Sequence, residues 1–525
     1  MEHEESVVRL AKPVRKGITR ILFSRVFIIA LLLIVQVAIM VAAYLWFTKE
    51  LHILLHIQWI FIFGMIVYLF NSSMDSSAKL TWMLIISLLP IAGAFLLLWT
   101  QSNLGHRMET ELVRKQINDT RTALDQPDNV VEEVQHDGSG TDDISTYLNH
   151  SGCFPLYDKT EVTYFPLGEK KFEAMLEELE KAKKYIFMEY FIVEEGYMWG
   201  RILDILMRKA NDGVEVRVMY DGMCEMSTLP ADYWKLLEAK GIHAKAFSRI
   251  RPVVSSHYNY RDHRKILVID GRVAFNGGVN LADEYINRIE RFGHWKDTAV
   301  MLKGPAVKSF ALMFLQMWNI GEKDAEADYE EWLSLPCEEH KDAKGYVLPY
   351  CDCPLDGYKA GEAVYMDILY RATDYVHIMS PYLILDGELE TALRFAAQRG
   401  VDVKLILPGI PDKKVAYSLA KTHYRYLHEA GVRIYEYTPG FVHAKVFVSD
   451  DIKAVVGTIN LDYRSLYHHF ECATYMYKTD CIADIEKDFQ ETLAKCRTVT
   501  KESIEDEKTS YRVIGRLTKM ISPLM

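Results

Sequence analysis

The feature that most constrains this 525-residue chain is that everything beyond residue 150 repeats an order of elements once. Short apolar runs alternate there with amphipathic stretches, the pattern of βαβ units around a mostly buried sheet. The run 185–192 (YIFMEYFI) is matched by 376–384 (VHIMSPYLI), 212–218 (DGVEVRV) by 399–405 (RGVDVKL), and 238–242 (EAKGI) by 429–432 (EAGV). In each half a glycine follows a helix, where it supplies the left-handed cap conformation, and a strand follows the glycine. The simplest fold for such a chain is α/β, with two similar halves at 151–335 and 336–525 packed about a pseudo-twofold axis.

The repeat is sharpest at His263-Arg-Lys265-Ile-Leu-Val-Ile-Asp270 and His443-Ala-Lys445-Val-Phe-Val-Ser-Asp450, both H-x-K-x4-D. Each leads to a turn ending in Asn, Gly277-Gly278-Val-Asn280 and Gly457-Thr458-Ile-Asn460, with 17 residues from His to Asn in both halves. Residues i and i+2 of a strand share a face, so His and Lys project together while the apolar run anchors the strand. Two copies facing one another supply two imidazoles, two ammonium groups and two carboxamides, a set that suits a phosphate. Lys265, Lys445, Asn280 and Asn460 would bind its oxygens, one His would attack phosphorus and the other would protonate the leaving oxygen. A nucleophilic imidazole needs its second nitrogen held by an acceptor; Asp297 and Glu471, opening the next strand-like runs, are the candidates. Asp270 and Asp450 complete the motif and are counted with the catalytic set, although their place at the strand ends suits turn fixing.

A zinc centre is the obvious competitor for two His plus carboxylates. Lys beside each His would repel a dication, and no third His or Cys has ligand-like spacing, so no metal and no cofactor is expected. Cys351-Asp-Cys353 is too tight for a metal knuckle, and eight Cys in a chain this long read as thiols rather than a disulfide framework. Glu189 is either a buried partner of a site group or a packing carboxylate.

The amino end is unlike the rest. Residues 26–47 are 22 positions interrupted only by Gln36, long enough at about 1.5 Å per residue to cross a hydrocarbon core of about 30 Å. Residues 51–70 and 80–99 are further candidates for transmembrane helices within a membrane region 1–100, the first weakened by His52, His56 and Gln58. Arg9, Lys12, Arg15, Lys16, Arg20 and Arg25 before the first segment, and Arg107, Arg114, Lys115 and Arg121 after the last, both favour the cytoplasmic side. The expectation is a multi-pass cell-membrane protein whose catalytic portion faces the cytoplasm, with 51–70 re-entrant or interfacial. Residues 101–150 carry ten acidic against four basic residues and read as a polar linker, helical at first and then flexible. A net charge of −11 argues against a nucleic-acid partner.

These residues resemble the phospholipase D superfamily, whose signature is a duplicated H-x-K-x4-D, and within it the bacterial cardiolipin synthases. The strings 259–271 (NYRDHRKILVIDG), 277–285 (GGVNLADEY) and 456–465 (VGTINLDYRS) carry the likeness. Lys79-Leu-Thr-Trp, Pro90-Ile-Ala-Gly and the closing Ser522-Pro-Leu-Met extend it to about residues 50–525. Thr458 stands where Ser is common, and His468-His469 near a usual Asn. The resemblance implies a metal-independent phosphatidyltransferase: phosphatidylglycerol donates its phosphatidyl group to one His and releases glycerol, and a second phosphatidylglycerol completes cardiolipin. By analogy His263 is the nucleophile and His443 the acid, then base. The enzyme alternative is a phospholipase D type hydrolase or transphosphatidylase acting on other phospholipids; the non-enzyme alternative is a membrane scaffold, which has no need for both His, both Lys and both Asn.

Overall fold

The computed structural model describes residues 7–11, 38, 51–101, 106–135, 137–248, 260–320, 322 and 325–524. All but one position of the expected segment 26–47 lie outside them. The chain divides into a larger unit, Met1–Val14, Glu109–Arg249 and Asn259–Arg516, and a smaller one, Arg15–Met108, Ile250–Tyr258 and Leu517–Met525.

In the smaller unit the helices are Leu51–Phe70, Ser76–Leu88 and Pro90–Gln101. Asp75 caps the second, accepting from the Ser77 and Ala78 N–H groups. Leu69, Trp82, Ile86 and Leu97 are buried together, and Leu524 packs on them. The Thr81 hydroxyl donates to the Met520 carbonyl at 2.8 Å, so the 79–82 string and the chain's end meet. The segment 80–99, expected as one span, is instead broken before Pro90, which has no N–H to continue the helical ladder. Among the described residues no helix is long and apolar enough to cross a membrane.

In the larger unit the stretch expected as a linker begins helical, as read, but its later part is helical and packed where a flexible chain was expected. Residues 109–150 are mostly helical, in His106–Asp119, Asp128–Gln135 and Thr141–Gly152. Val130 with Val134 and Ile144 with Leu148 recur at i, i+4 and are buried in the main core. The Gln116 side chain donates to Asn319 O at 3.0 Å and accepts from the Tyr329 hydroxyl at 2.7 Å. The acidic surplus lies on the outer faces of these helices and hid a narrow apolar stripe.

The first half contains β1 (Glu161–Phe165), β2 (Tyr185–Tyr190), β3 (Glu215–Asp221), β4 (His243–Phe247), β5 (Arg261–Asp262), β6 (Lys265–Ile269), β7 (Val273–Gly277), β8 (His294–Lys296) and β9 (Ala299–Lys303). The second contains β10 (Tyr346–Asp352), β11 (Tyr375–Met379), β12 (Asp402–Pro408), β13 (Arg433–Tyr437), β14 (Gly440–Val442), β15 (Val446–Ser449), β16 (Lys453–Gly457), β17 (His469–Tyr477) and β18 (Cys496–Thr498). Their sheets run β1-β9-β7-β6-β2-β3-β4 and β10-β17-β16-β15-β11-β12-β13, the second extended by β18. The order is the same strand for strand. β2, β3 and β4 are parallel, as crossover helices require, whereas β6 runs antiparallel to β2 and forms an antiparallel hairpin with β7.

Two short parallel pairings cross between the halves. β5 pairs β17, with Arg261 opposite His469, and β8 pairs β14, with His294 opposite Gly440. Each joins the segment just before one half's motif histidine to the segment just before the other half's carboxylate. That reciprocity is what an exchange of halves about a twofold axis produces.

Candidate active site

Each motif histidine leaves its crossing strand with its backbone already in register. The His263 N–H donates to Phe470 O at 2.9 Å and the His443 N–H to Lys296 O at 2.7 Å. The next residue after each acceptor is the carboxylate. His263 Nδ1 lies 2.8 Å from Glu471 Oε2 and His443 Nδ1 lies 2.6 Å from Asp297 Oδ2. The two carboxylates named from sequence therefore do hold the histidines, but each serves the opposite half. Both acids are fully buried, and the imidazoles nearly so. With Nδ1 engaged, Nε2 is the atom each ring has for chemistry.

Lys265 and Lys445 are buried beside them, each ammonium donating back to the carbonyl of its own motif histidine. Lys445 Nζ is also 3.0 Å from His443 Nδ1, and Lys265 Nζ lies 5.4 Å from the centre of the Phe191 ring. Burial lowers both lysines, Lys265 to about 8 and Lys445 to about 7. Burial also pushes His263 well below the usual imidazole range and His443 down to about 4. Asp297 and Glu471 stay below the carboxylate range because, against burial, the paired imidazoles favour their ionised forms. Burial thus works against positive charge on both imidazoles and both ammonium groups. An anionic phosphodiester entering the centre would favour both ammonium ions and a charged imidazole.

The asparagines differ. Asn280 accepts from the Ile192 N–H at 3.0 Å and donates to the Tyr285 hydroxyl at 2.8 Å, leaving one amide hydrogen for a ligand. Asn460 has a buried Oδ1 without a hydrogen-bond partner. The turns before them are held in parallel ways that motif reading missed: Lys171 donates to Val279 O at 3.2 Å and the Tyr365 hydroxyl to Ile459 O at 2.9 Å. Both lie on helices outside the repeat strings, and burial lowers Lys171 to about 7. Aromatic rings wall the histidines, Phe191 at 4.9 Å from His263, and Tyr285 and Trp295 each at 5.4 Å from His443.

Two residues counted with the catalytic set are elsewhere. Asp270 ends β6 at φ +56° and accepts the backbone N–H groups of Lys183, Lys184 and Tyr185 at 2.7–2.9 Å. Asp450, at φ +54°, accepts those of Thr373, Asp374 and Tyr375 at 2.8–3.0 Å. Each is about 16 Å along the strand from its lysine, and each fixes the hairpin turn to the start of the neighbouring strand. Glu189 is likewise internal, paired with Arg264.

Paired H-x-K motifs, each leading into a strand of one of two matched α/β halves that exchange carboxylates, define a phospholipase D type centre. The chain matches the family described as cardiolipin synthase, phospholipase D-like domain, over residues 175–318 and 365–493. It belongs to that family and is a phosphatidyltransferase. A cardiolipin synthase of Geobacillus sp. (strain WCH70) is 33% identical over 450 residues, 85% of this chain and 88% of that one. An uncharacterized protein of Streptococcus mutans is 58% identical over 462 residues, 88% of this chain and all of its own length. Among solved structures, the phosphatidylserine synthase of Haemophilus influenzae shares the fold, with TM-score 0.53 at 12% identity over 69% of this chain and 95% of that one.

Proposed function

We propose that this chain is a cardiolipin synthase that joins two phosphatidylglycerol molecules through a phosphatidyl-histidine intermediate. The observation that carries the reading is the pair of buried imidazoles, each tied through Nδ1 to a carboxylate of the opposite half. His263 Nε2 attacks the phosphorus of the first lipid while His443 gives a proton to the departing glycerol oxygen. His443 then takes a proton from a hydroxyl of the second phosphatidylglycerol, whose oxygen displaces His263 to form cardiolipin. Lys265, Lys445 and the asparagine amides offset the charge that builds on the phosphoryl oxygens. The scheme involves no cofactor.

The acyl chains need an apolar neighbour. In the smaller unit Trp59, Ile60, Phe63, Phe70, Leu80 and Ile91 are 68–73% exposed, a surface that suits contact with hydrocarbon rather than water. In this reading the amino-terminal region attaches the enzyme to the membrane, with the catalytic portion on its cytoplasmic face.

The test supplies purified enzyme with phosphatidylglycerol as the only lipid. Cardiolipin and glycerol in equal amounts are expected; phosphatidic acid as the sole product would replace the synthase reading with hydrolysis.

A further inference from the structure

The strand positions two residues before the orienting carboxylates differ between the halves. One holds Trp295 and the other His469. Alternation along β17 puts His469 on the same face as Glu471. Its ring centre is 5.4 Å from that of His263, and it is only 7% exposed. His469 Nε2 has no hydrogen-bond partner, while its Nδ1 faces Glu471 Oε1 at 3.6 Å, an ion-pair separation too long for a good hydrogen bond. A buried imidazole nitrogen left unsatisfied beside a loosely held imidazole–carboxylate pair is costly unless something binds there.

The geometry says what. His469 Nδ1 is 3.6 Å from Glu471 Oε1, and His263 Nδ1 is 2.8 Å from Glu471 Oε2. One imidazole thus faces each carboxylate oxygen, and ligand atoms about 2.0–2.1 Å from a tetrahedral zinc ion would lie roughly 3.4 Å apart, a separation these side chains reach with small shifts. Two imidazoles and a carboxylate are a ligand set that zinc accepts with a fourth position open. Ligand atoms of His263, His469 and Glu471 all lie within 4.8 Å of one another, and all three residues are buried. The objection from Lys265 weakens in the fold, because its ammonium is turned to the His263 carbonyl and Glu471 supplies a compensating charge.

We propose that His263, His469 and Glu471 form a zinc site and that the ion, while bound, holds the enzyme inactive. Zinc there takes both members of the His263–Glu471 pair, so the imidazole is no longer oriented for attack. The inhibitory half rests on the mechanism proposed above; the binding half does not. Zinc is here an inhibitor, and chelation activates.

The experiment uses the full chain in detergent micelles after chelator treatment. Cobalt is titrated in and its visible absorption is followed, then zinc is added to displace it. One equivalent of cobalt should give the intense bands of a low-coordinate site, and one of zinc should abolish them. His469→Asn and His469→Gln, each checked by thermal denaturation, should bind at least roughly 100-fold more weakly, since losing even an outer partner of a metal ligand costs about 10–100-fold. X-ray absorption of the zinc-loaded wild type should count two imidazoles. Absence of the bands, equal affinity in a folded variant, or fewer than two imidazoles would overturn the site. In turnover assays zinc should slow the wild type reversibly, and full activity of zinc-saturated enzyme would overturn inhibition alone. Failure to form cardiolipin in metal-free enzyme would instead sink the functional reading and leave the binding result standing.

Discussion

His263 and Glu471, 208 residues apart, meet twice: through Nδ1 and Oε2 at 2.8 Å, and through the backbone bond from His263 N–H to the carbonyl preceding Glu471. His443 and Asp297 repeat the relation in reverse. An imidazole pinned at both its backbone and its Nδ1 has one orientation, so each half supplies the groups that hold the other half's histidine.

The first prediction tests that dependence. Glu471→Gln and Asp297→Asn keep shape but no longer demand the tautomer that leaves Nε2 basic. Loss of the equivalent acceptor in a Ser-His-Asp triad costs about 10⁴ in turnover. Each variant here should lose at least about 100-fold in kcat while melting as a folded protein. Full kcat in either, measured with phosphatidylglycerol in micelles, would show that the crossing carboxylates position nothing.

The second concerns the motif's aspartates. Removing Asp270 leaves three backbone N–H groups without their acceptor, and Asp450 likewise. Asp270→Ala and Asp450→Ala should each destabilise by about 1–3 kcal/mol, read as a lower denaturation midpoint. The kcat of the folded fraction should stay within a few-fold of wild type; a loss matching that of the histidine variants would return these residues to the chemistry.

How much of this was legible beforehand follows from what short-range pattern can carry. The duplication was, because strands and helices recur as local apolar periods; the H-x-K motifs stood out by their repetition, but the shared strand face expected of His and Lys did not follow, since β6 begins only at Lys265 and β15 only at Val446. Asp297 and Glu471 were visible as carboxylates opening strands. Which histidine each would serve was not, since that depends on β5 finding β17 and β8 finding β14 across the domain. Lys171 and Tyr365 escaped because they reach the site from helices whose repeat is structural and not chemical. His469 was noticed as a departure from the usual Asn, but its nearness to His263 depends on the same strand crossing.

The third prediction is a pH dependence. Lys445 falls to about 7 and Lys265 to about 8 from an ordinary 10.5, because burial disfavours their charge. Their unfolded forms bind more protons between those values and 10.5, so their cost to folding is full below the folded values and relieved as pH rises. Ligand binding works the other way, because an anion needs both ammonium ions. The rise in denaturation midpoint given by a saturating short-chain phosphatidylglycerol should therefore shrink between pH 6.5 and 9. A shift that stays constant over that range would show that the lysines do not carry the anion.

The last prediction uses a difference between the halves. At Gly278 a Cβ would fall 2.1 Å from Asp297 Oδ1, so the short carboxylate occupies the space a side chain would need. At the equivalent Thr458 the side chain is present, and its hydroxyl donates to the longer Glu471. The two halves thus fill one volume in two ways, glycine with Asp and threonine with Glu. Gly278→Ala should displace Asp297 from His443 and lower kcat by at least about 100-fold, whereas Thr458→Ser should keep the donor and remain within a few-fold of wild type. Thr458→Val keeps the volume but leaves Glu471 without that hydrogen bond, a loss of about 1–3 kcal/mol. Its kcat should fall between the other two, and the order Ser above Val above Gly278→Ala is the measurement that matters. Gly278→Ala at wild-type rate would mean that Asp297 has room to move and does not set the orientation of His443.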